Sequence, residues 1–244
     1  MKPKFTIIIP CYNAEDYIEQ CVTSALNQDY ENCEVIVIDN DSGDDSLEIV
    51  ESIYEEHQNF HLDTVANIYP FSWQEPVEKA LEIFTGDYVT ILGADDYLAP
   101  NYVSNIVKYI EESDKDIDCF QSALKCVNKK GIEQGGDLTN SYDDIDDLKN
   151  KMLERCVVAT PSVVYSRKLY KQGLVKWDSE NYLGASDYEL YFNLLDNDIY
   201  IHPNNEWLGY YYRWHEKQAT WGMQRQPVNY DFMLQNKWRS KWGL

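Results

Sequence analysis

Tyr88-Val89-Thr90-Ile91-Leu92-Gly93-Ala94-Asp95-Asp96 decides the fold, because a short apolar strand runs straight into two adjacent carboxylates. Upstream, Phe5-Thr6-Ile7-Ile8-Ile9 is a continuous apolar run ended by Pro10, as expected of a strand buried on both faces. Glu34-Val35-Ile36-Val37-Ile38-Asp39 is a second such run, and it opens into the polar loop Asn40-Asp41-Ser42-Gly43-Asp44-Asp45-Ser46. Between and after these strands, apolar residues recur at helical spacing: Tyr17, Ile18, Cys21, Val22, Ala25 and Leu26, then Leu47, Val50 and Ile53. The same spacing returns at Val77, Ala80, Leu81 and Phe84, and at Val103, Ile106, Val107 and Ile110. Asn13 is placed to cap the first of these helices. His61 to Val65 reads as a further strand.

Strands alternating with amphipathic helices predict an α/β protein with a mostly parallel, doubly wound sheet. Ligands on such sheets bind outside the carboxyl ends of the strands. The acidic clusters after Ile38 and Leu92 lie at two such ends, so they share one rim. The second half is less regular. Asp143 to Asp147 reads as a solvated loop or helix start, and Asp187 to Leu195 as a helix with Leu190, Tyr191, Leu194 and Leu195 on one side. From Trp207 onward the chain is dense in aromatics.

Totals narrow the partners. The 244 residues suit one large domain and carry a net charge of −21 from 21 basic and 42 acidic side chains. That balance argues against nucleic acid, which needs a cationic footprint, and against an anionic membrane surface. The six cysteines form no CxxC pair and no zinc spacing, and read as reduced, mostly buried thiols. Met1 to Lys4 lead directly into a strand, and no apolar run approaches the roughly 20 residues of a membrane span. The expectation is a cytoplasmic protein. No residue pattern assigns an oligomeric state.

Taken in order, several stretches resemble family 2 glycosyltransferases of the GT-A fold. Ile7-Ile8-Ile9-Pro10-Cys11-Tyr12-Asn13 is similar to the family's opening strand and turn. Val37-Ile38-Asp39-Asn40-Asp41-Ser42 is similar to its acidic loop after strand two. Gly93-Ala94-Asp95-Asp96 is similar to its DxDD metal motif, Ser186-Asp187-Tyr188-Glu189-Leu190 to its EDxxL segment, and Tyr212-Arg213-Trp214-His215 to its YRxH signature. Each is short, and the order and separations give them weight. The chain departs from the family at Gly93, where the first Asp of DxDD stands, at Ser186 in place of Glu, and at 76–80, where Lys79 is the one cation in place of an ARNxG segment.

The resemblance implies roles residue by residue. Pro10, Tyr12, Asp39, Asp95 and Arg213 would bind the nucleotide, with Asp39 reading the base or ribose. Asp95, Asp96 and His215 would hold Mn2+ or Mg2+, hard ions that take oxygen ligands and substrate phosphates. Asp187 would be the base that takes the acceptor hydroxyl's proton. Each residue also has a plainer reading: a loop-capping Asp39, a solvated turn at Asp95-Asp96, a helix-start carboxylate at Asp187, a structural His215. Trp207, the Tyr210-Tyr211-Tyr212 run, Trp214 and Trp221 are either stacking platforms for an acceptor sugar or packing.

The expected protein is an inverting, metal-dependent transferase that moves a sugar from a nucleoside-diphosphate sugar, a UDP-sugar first among these, to a glycan or lipid-linked acceptor in surface polysaccharide or glycoconjugate synthesis. The expected layout is a GT-A domain over 1–222, its nucleotide-sugar half about 1–100 and its acceptor half about 101–222, then an aromatic-rich tail over 223–244. The competing readings are a catalytically inactive GT-A-like module that binds nucleotide or glycan, and a nucleotidyltransferase. The latter lacks its Gly-rich, basic loop at Cys11-Tyr12-Asn13-Ala14.

Overall fold

A computed structural model gives the fold and describes residues 2–57, 59–67, 73–113, 116–218, 220–221 and 227–244. The first half alternates as expected: β1 (Phe5–Cys11), α1 (Ile18–Leu26), β2 (Cys33–Asp39), α2 (Ser46–His57), β3 (His61–Thr64), α3 (Gln74–Ile83) and β4 (Tyr88–Ile91). Then come β5 (Tyr97–Leu98), α4 (Tyr102–Glu112), β6 (Cys119–Asn128), β7 (Glu133–Leu138) and α5 (Ile145–Met152). A 3-10 turn (Thr160–Ser162), β8 (Val164–Ser166), α6 (Arg167–Lys171), α7 (Ser179–Tyr182), a second 3-10 turn (Leu183–Ala185), α8 (Ser186–Asp196), β9 (His202–Trp214) and α9 (Tyr230–Trp242) complete the described elements.

The strands form one sheet in the order β3-β2-β1-β4-β8-β6-β9-β5, with β7 on β6. The half β3-β2-β1-β4 is wholly parallel. Beyond β4 the sheet is mixed: β8 pairs antiparallel with β4 and β6, and β6 pairs parallel with β9. The parallel character read from the sequence thus resides in the half that carries the acidic loops. β6, β7 and β9 were not legible as strands, because β7 is exposed along its whole length and β9 mixes buried and exposed positions without strict alternation.

The apolar runs are buried on both faces, as their composition required. Ile7, Ile9, Val35 and Val37 pack with α1 and α4, while Ile8, Ile36 and Ile38 pack with α3, α8 and α9. Each such fully buried aliphatic side chain contributes roughly 1.5–3 kcal/mol. At the amino end of this sheet the Glu34 carboxylate ties three elements together. It accepts from Thr6 Oγ1 at 2.7 Å, from the Thr85 amide at 2.6 Å and from Thr85 Oγ1 at 2.6 Å, and pairs with Lys4.

One local expectation changes and another is narrowed to one of its two readings. Asn13 does not cap α1; its φ is +47° and its Oδ1 accepts the Gly43 amide at 2.7 Å, so it latches the β1–α1 turn to the β2–α2 loop. The 143–147 charge run is a helix start, with Asp144 Oδ1 accepting the Asp147 amide at the head of α5. The stretch read as a tail holds α9, whose Leu234 and Trp238 are buried in the same core as α8. Trp238 Nε1 donates to Glu189 and Lys241 Nζ to Asp196, each at 2.7 Å.

Candidate active site

Three strand ends build the rim. Because β1 lies between β2 and β4 in parallel register, Asp39, the β1 exit at Cys11-Tyr12 and the Gly93–Asp96 loop emerge side by side. Backbone bonds hold them there: Asn40 N donates to Cys11 O at 2.7 Å, and Leu92 N to Ile8 O at 2.8 Å. Ala14 N donates to Ser46 Oγ at 2.7 Å, pinning the turn between.

Asp39 is buried. Its Oδ2 accepts the Ser42 amide at 3.0 Å, as a loop-capping Asp would, but its Oδ1 is buried with no partner. A buried acceptor without a donor is costly, so this oxygen is an unmet hydrogen-bond site on the rim. Tyr12 beside it is half exposed, and Pro10 is partly exposed. The neighbouring Cys11 thiol is pushed up to about 12 by burial and then by the Asp39 charge, so it is no nucleophile.

Asp95 and His215 meet across the sheet, with Oδ2 and Nε2 2.9 Å apart. The imidazole leans on the Tyr17 ring at 4.8 Å, its Nδ1 has no partner, and its backbone carbonyl accepts from Trp221 Nε1 at 2.9 Å. Two ligands about 2.1 Å from an octahedral ion in neighbouring positions lie about 3.0 Å apart. The Asp95–His215 hydrogen-bonded spacing also matches that edge, and a carboxylate with an imidazole suits Mn2+ better than Mg2+, which prefers oxygen ligands alone. Among the described residues no group of three or more His, Cys, Asp or Glu converges on one point. The remaining ligands would be phosphate oxygens and water, as is usual for such ions.

Asp96 and Arg213 are placed differently from the expectation. Asp96 is 2% exposed, and both its oxygens are taken: Oδ2 by the Tyr210 hydroxyl at 2.8 Å, Oδ1 by the Arg213 amide at 2.7 Å. Burial, and then the Asp95 charge, hold its carboxyl well above the usual range. Arg213 is 1% exposed. Its Nε donates to the Asp95 carbonyl at 2.6 Å and its terminal nitrogens to Gln20 Oε1 at 2.7 Å and the Lys129 carbonyl at 3.2 Å. The guanidinium lies over the rings of Tyr17 at 4.7 Å and Tyr97 at 5.3 Å. With its fork so occupied, Arg213 is a strut under the rim, not an anion clamp facing it.

Gly93 fits this packing. A Cβ there would stand 2.9 Å from Asp96 Oδ2 and 3.0 Å from Asp95 Oδ1, and its amide donates to the Tyr210 hydroxyl at 3.1 Å. The family's Asp at this position has no room while Asp96 is held by Tyr210.

Asp187 opens α8. Its Oδ2 accepts from Thr160 Oγ1 at 2.7 Å and its Oδ1 from the Tyr188 amide at 2.7 Å. The Thr160–Ser162 turn leads into β8, which pairs with β4, so Asp187 stands beside the carboxyl end of β4. Burial raises its carboxyl above the ordinary value, with the Thr160 bond opposing. Of the aromatics, Tyr210 is core, Tyr211 stacks on Tyr97 at 4.5 Å, and Trp214 is exposed beside Trp221.

Tyr17, Gln20, Tyr97, Thr160 and Tyr210 do work at this site that sequence motifs did not point to. The signals were indirect: the helical spacing that turned Tyr17 inward, and the Tyr210-Tyr211-Tyr212 run that read as stacking or packing.

The family model described as Glycosyl transferase family 2 matches residues 6–174. A chain called an uncharacterized glycosyltransferase, from Haemophilus influenzae, is 32% identical over 151 residues, 62% of this chain and 45% of that one. The Escherichia coli UDP-Glc:alpha-D-GlcNAc-diphosphoundecaprenol beta-1,3-glucosyltransferase WfaP is 28% identical over 211 residues, 86% of this chain and 77% of that one. Staphylococcus aureus TarS 1-349, solved in complex with UDP-GlcNAc, superposes with a TM-score of 0.72 at 23% identity over 92% of this chain and 62% of that one. The TarS likeness is one of fold. The chain spans less than half of the Haemophilus relative and less than two thirds of the solved TarS chain.

Proposed function

The chain belongs to glycosyl transferase family 2, and from that premise we propose that it moves a sugar, with inversion, from a nucleoside-diphosphate donor to a hydroxyl of a glycan or lipid-linked acceptor. UDP-sugars are the first donors to try, and assembly of a surface polysaccharide or glycoconjugate is the setting the reading favours. The observation that carries it is the 2.9 Å approach of Asp95 and His215 at the carboxyl rim.

In this reading the unmet Asp39 Oδ1 accepts a donor proton of the base or ribose, with Tyr12 and Pro10 alongside. Asp95 and His215 hold a divalent ion, which when bound neutralises charge on the leaving diphosphate. Asp187 takes the proton of the acceptor hydroxyl while that oxygen bonds to the sugar's C1 and the C1–O bond to the diphosphate breaks. A carboxyl raised by burial is a stronger base than an ordinary Asp. Asp96 and Arg213 bind neither ion nor diphosphate here; they hold the loop that does. The exposed Trp214 is the ring best placed to meet an acceptor sugar.

The test is a transfer assay with a panel of UDP-, GDP- and dTDP-sugars against sugar-diphosphate lipid acceptors, with anomeric configuration read by NMR. Transfer with inversion, lost on Asp187→Asn, supports the reading. Transfer that retains configuration, or that survives Asp187→Asn at full rate, contradicts it.

A further inference from the structure

A second recess lies at the opposite end of the sheet. β9 runs in the direction of β4, because both β4 and β6 oppose β8 and β9 is parallel to β6. The start of β9 is therefore at the amino end, away from the rim of Asp95 and His215. There the β6–β9 register breaks: Gln121 faces Pro203 and Ala123 faces Trp207, so Ser122 alone stands against Asn204, Asn205 and Glu206. A bulge of this kind bends the strand and re-aims its side chains.

The bulge opens a cavity of about 360 Å³ between β9 and α4, lined among others by Asn204, Glu206, Trp207, Asn105, Tyr109 and Glu112. Asn204 is 9% exposed, and its Oδ1 accepts the Glu206 amide at 2.9 Å, but its Nδ2 is buried with no partner. Opposite the bulge, Ser122 Oγ is also buried and without a partner. Ser122 lies outside the lining, so the unmet Asn204 Nδ2 is the atom a ligand or water in the recess would satisfy.

The lining names the chemistry. The Asn204 amide is a donor, so it disfavours a bare cation. The Glu206 and Glu112 carboxylates outnumber the one ammonium of the lining, Lys108, 4.0 Å from Glu112, so the recess keeps a net negative charge that disfavours an anion. Tyr109 offers apolar ring surface beside these acceptors, while the Trp207 ring is already met by Lys125 Nζ at 4.2 Å and Tyr211 at 5.0 Å. We propose that this recess binds a neutral pyranose, one unit of a glycan, with the Asn204 amide donating to a ring hydroxyl and Glu206 accepting from another. The site is separate from the donor rim and does not depend on the transferase reading. In a glycan-building enzyme it would keep the chain of an acceptor near the rim by raising its effective concentration.

The test is saturation-transfer NMR and calorimetry with three probes: methyl β-glucopyranoside, methyl β-galactopyranoside and N-acetylglucosamine. These are titrated into the full chain, with Asn204→Leu, the exposed Glu206→Leu and the rim variant Asp95→Ala alongside. The expected result is binding of at least one probe, weakened about tenfold or more by each of the two recess substitutions and unchanged in Asp95→Ala. Glu206→Leu keeps the test sound if Asn204→Leu fails to fold. No binding of any probe, or binding that Glu206→Leu leaves intact, overturns the proposal. Binding lost only in Asp95→Ala assigns the sugar to the rim and overturns it equally.

Discussion

Arg213 grips the acidic loop from both sides of a peptide: its Nε donates to the Asp95 carbonyl at 2.6 Å, and its own amide donates to the Asp96 carboxylate at 2.7 Å. The last strand and the metal-motif loop are thereby one unit. His215, two residues on, is delivered to the Asp95 side chain by that union. The adjacent aspartates divide the work, with Asp96 turned inward to the strut and Asp95 outward to the rim.

Tyr210 is the keystone of this unit, since its hydroxyl donates to Asp96 and accepts from the Gly93 amide. Tyr210→Phe leaves a buried carboxylate oxygen and a backbone amide unmet. The expected cost is about 1–3 kcal/mol in urea unfolding, together with weaker Mn2+ binding. An unchanged midpoint would refute this account of the lock.

Gly93→Ala places a methyl against Asp96 Oδ2, which Tyr210 prevents from moving aside. The expected loss is about 1–3 kcal/mol of stability. Gly93→Asp, which restores the family's residue, should lower metal affinity rather than raise it. Metal titration of both variants decides the point.

Asp187→Asn should lower turnover about 10²–10⁴-fold and leave nucleotide affinity alone. The base works ionised, and burial raises its carboxyl. Activity should therefore fall, as pH drops, at a higher pH than an ordinary Asp near 3.9 would give. Removing the opposing bond with Thr160→Val should move that acid limb further up. A limb that stays put would show that Thr160 does not act on this carboxylate.

Glu34 gives a stability signature in acid. Burial would raise its carboxyl, but the bonds from Lys4, Thr85 and Thr6 win and lower it from 4.5 to about 2. A lowered carboxylate stabilises the fold above its ordinary value, and that contribution is lost as pH falls from about 4.5 toward about 2. Its size is on the order of 3 kcal/mol. Glu34→Gln should flatten stability against pH across that window, as followed by denaturant unfolding.

The parallel half of the fold was legible because Phe5–Ile9 and Val35–Ile38 are buried on both faces, which demands continuous apolar runs. The mixed half was not, because the bulged β9 and the exposed β7 follow neither period. Asp39 and Asp95 could be picked out because they follow apolar strands and Asp187 because it stands at a helix start, whereas His215 came through the resemblance of Tyr212–His215 to the family's signature. The inward turn of Asp96 and Arg213 could not. It depends on Tyr210 and Gln20, which come from a distant strand and from the first helix and carry no motif. The recess at Asn204 was likewise hidden, since a register break between parallel strands leaves no sequence period.

Asp95 and His215 are the residues proposed to join a divalent ion to the donor's diphosphate. Calorimetric titration of UDP, GDP and dTDP, with and without Mn2+, into the wild-type chain, Asp95→Ala and His215→Ala tests this role most directly. The expected result is Mn2+-dependent binding of one nucleotide that is lost in Asp95→Ala and weakened in His215→Ala. Binding of none of the three, or binding as tight without Mn2+ and in both variants, would contradict it.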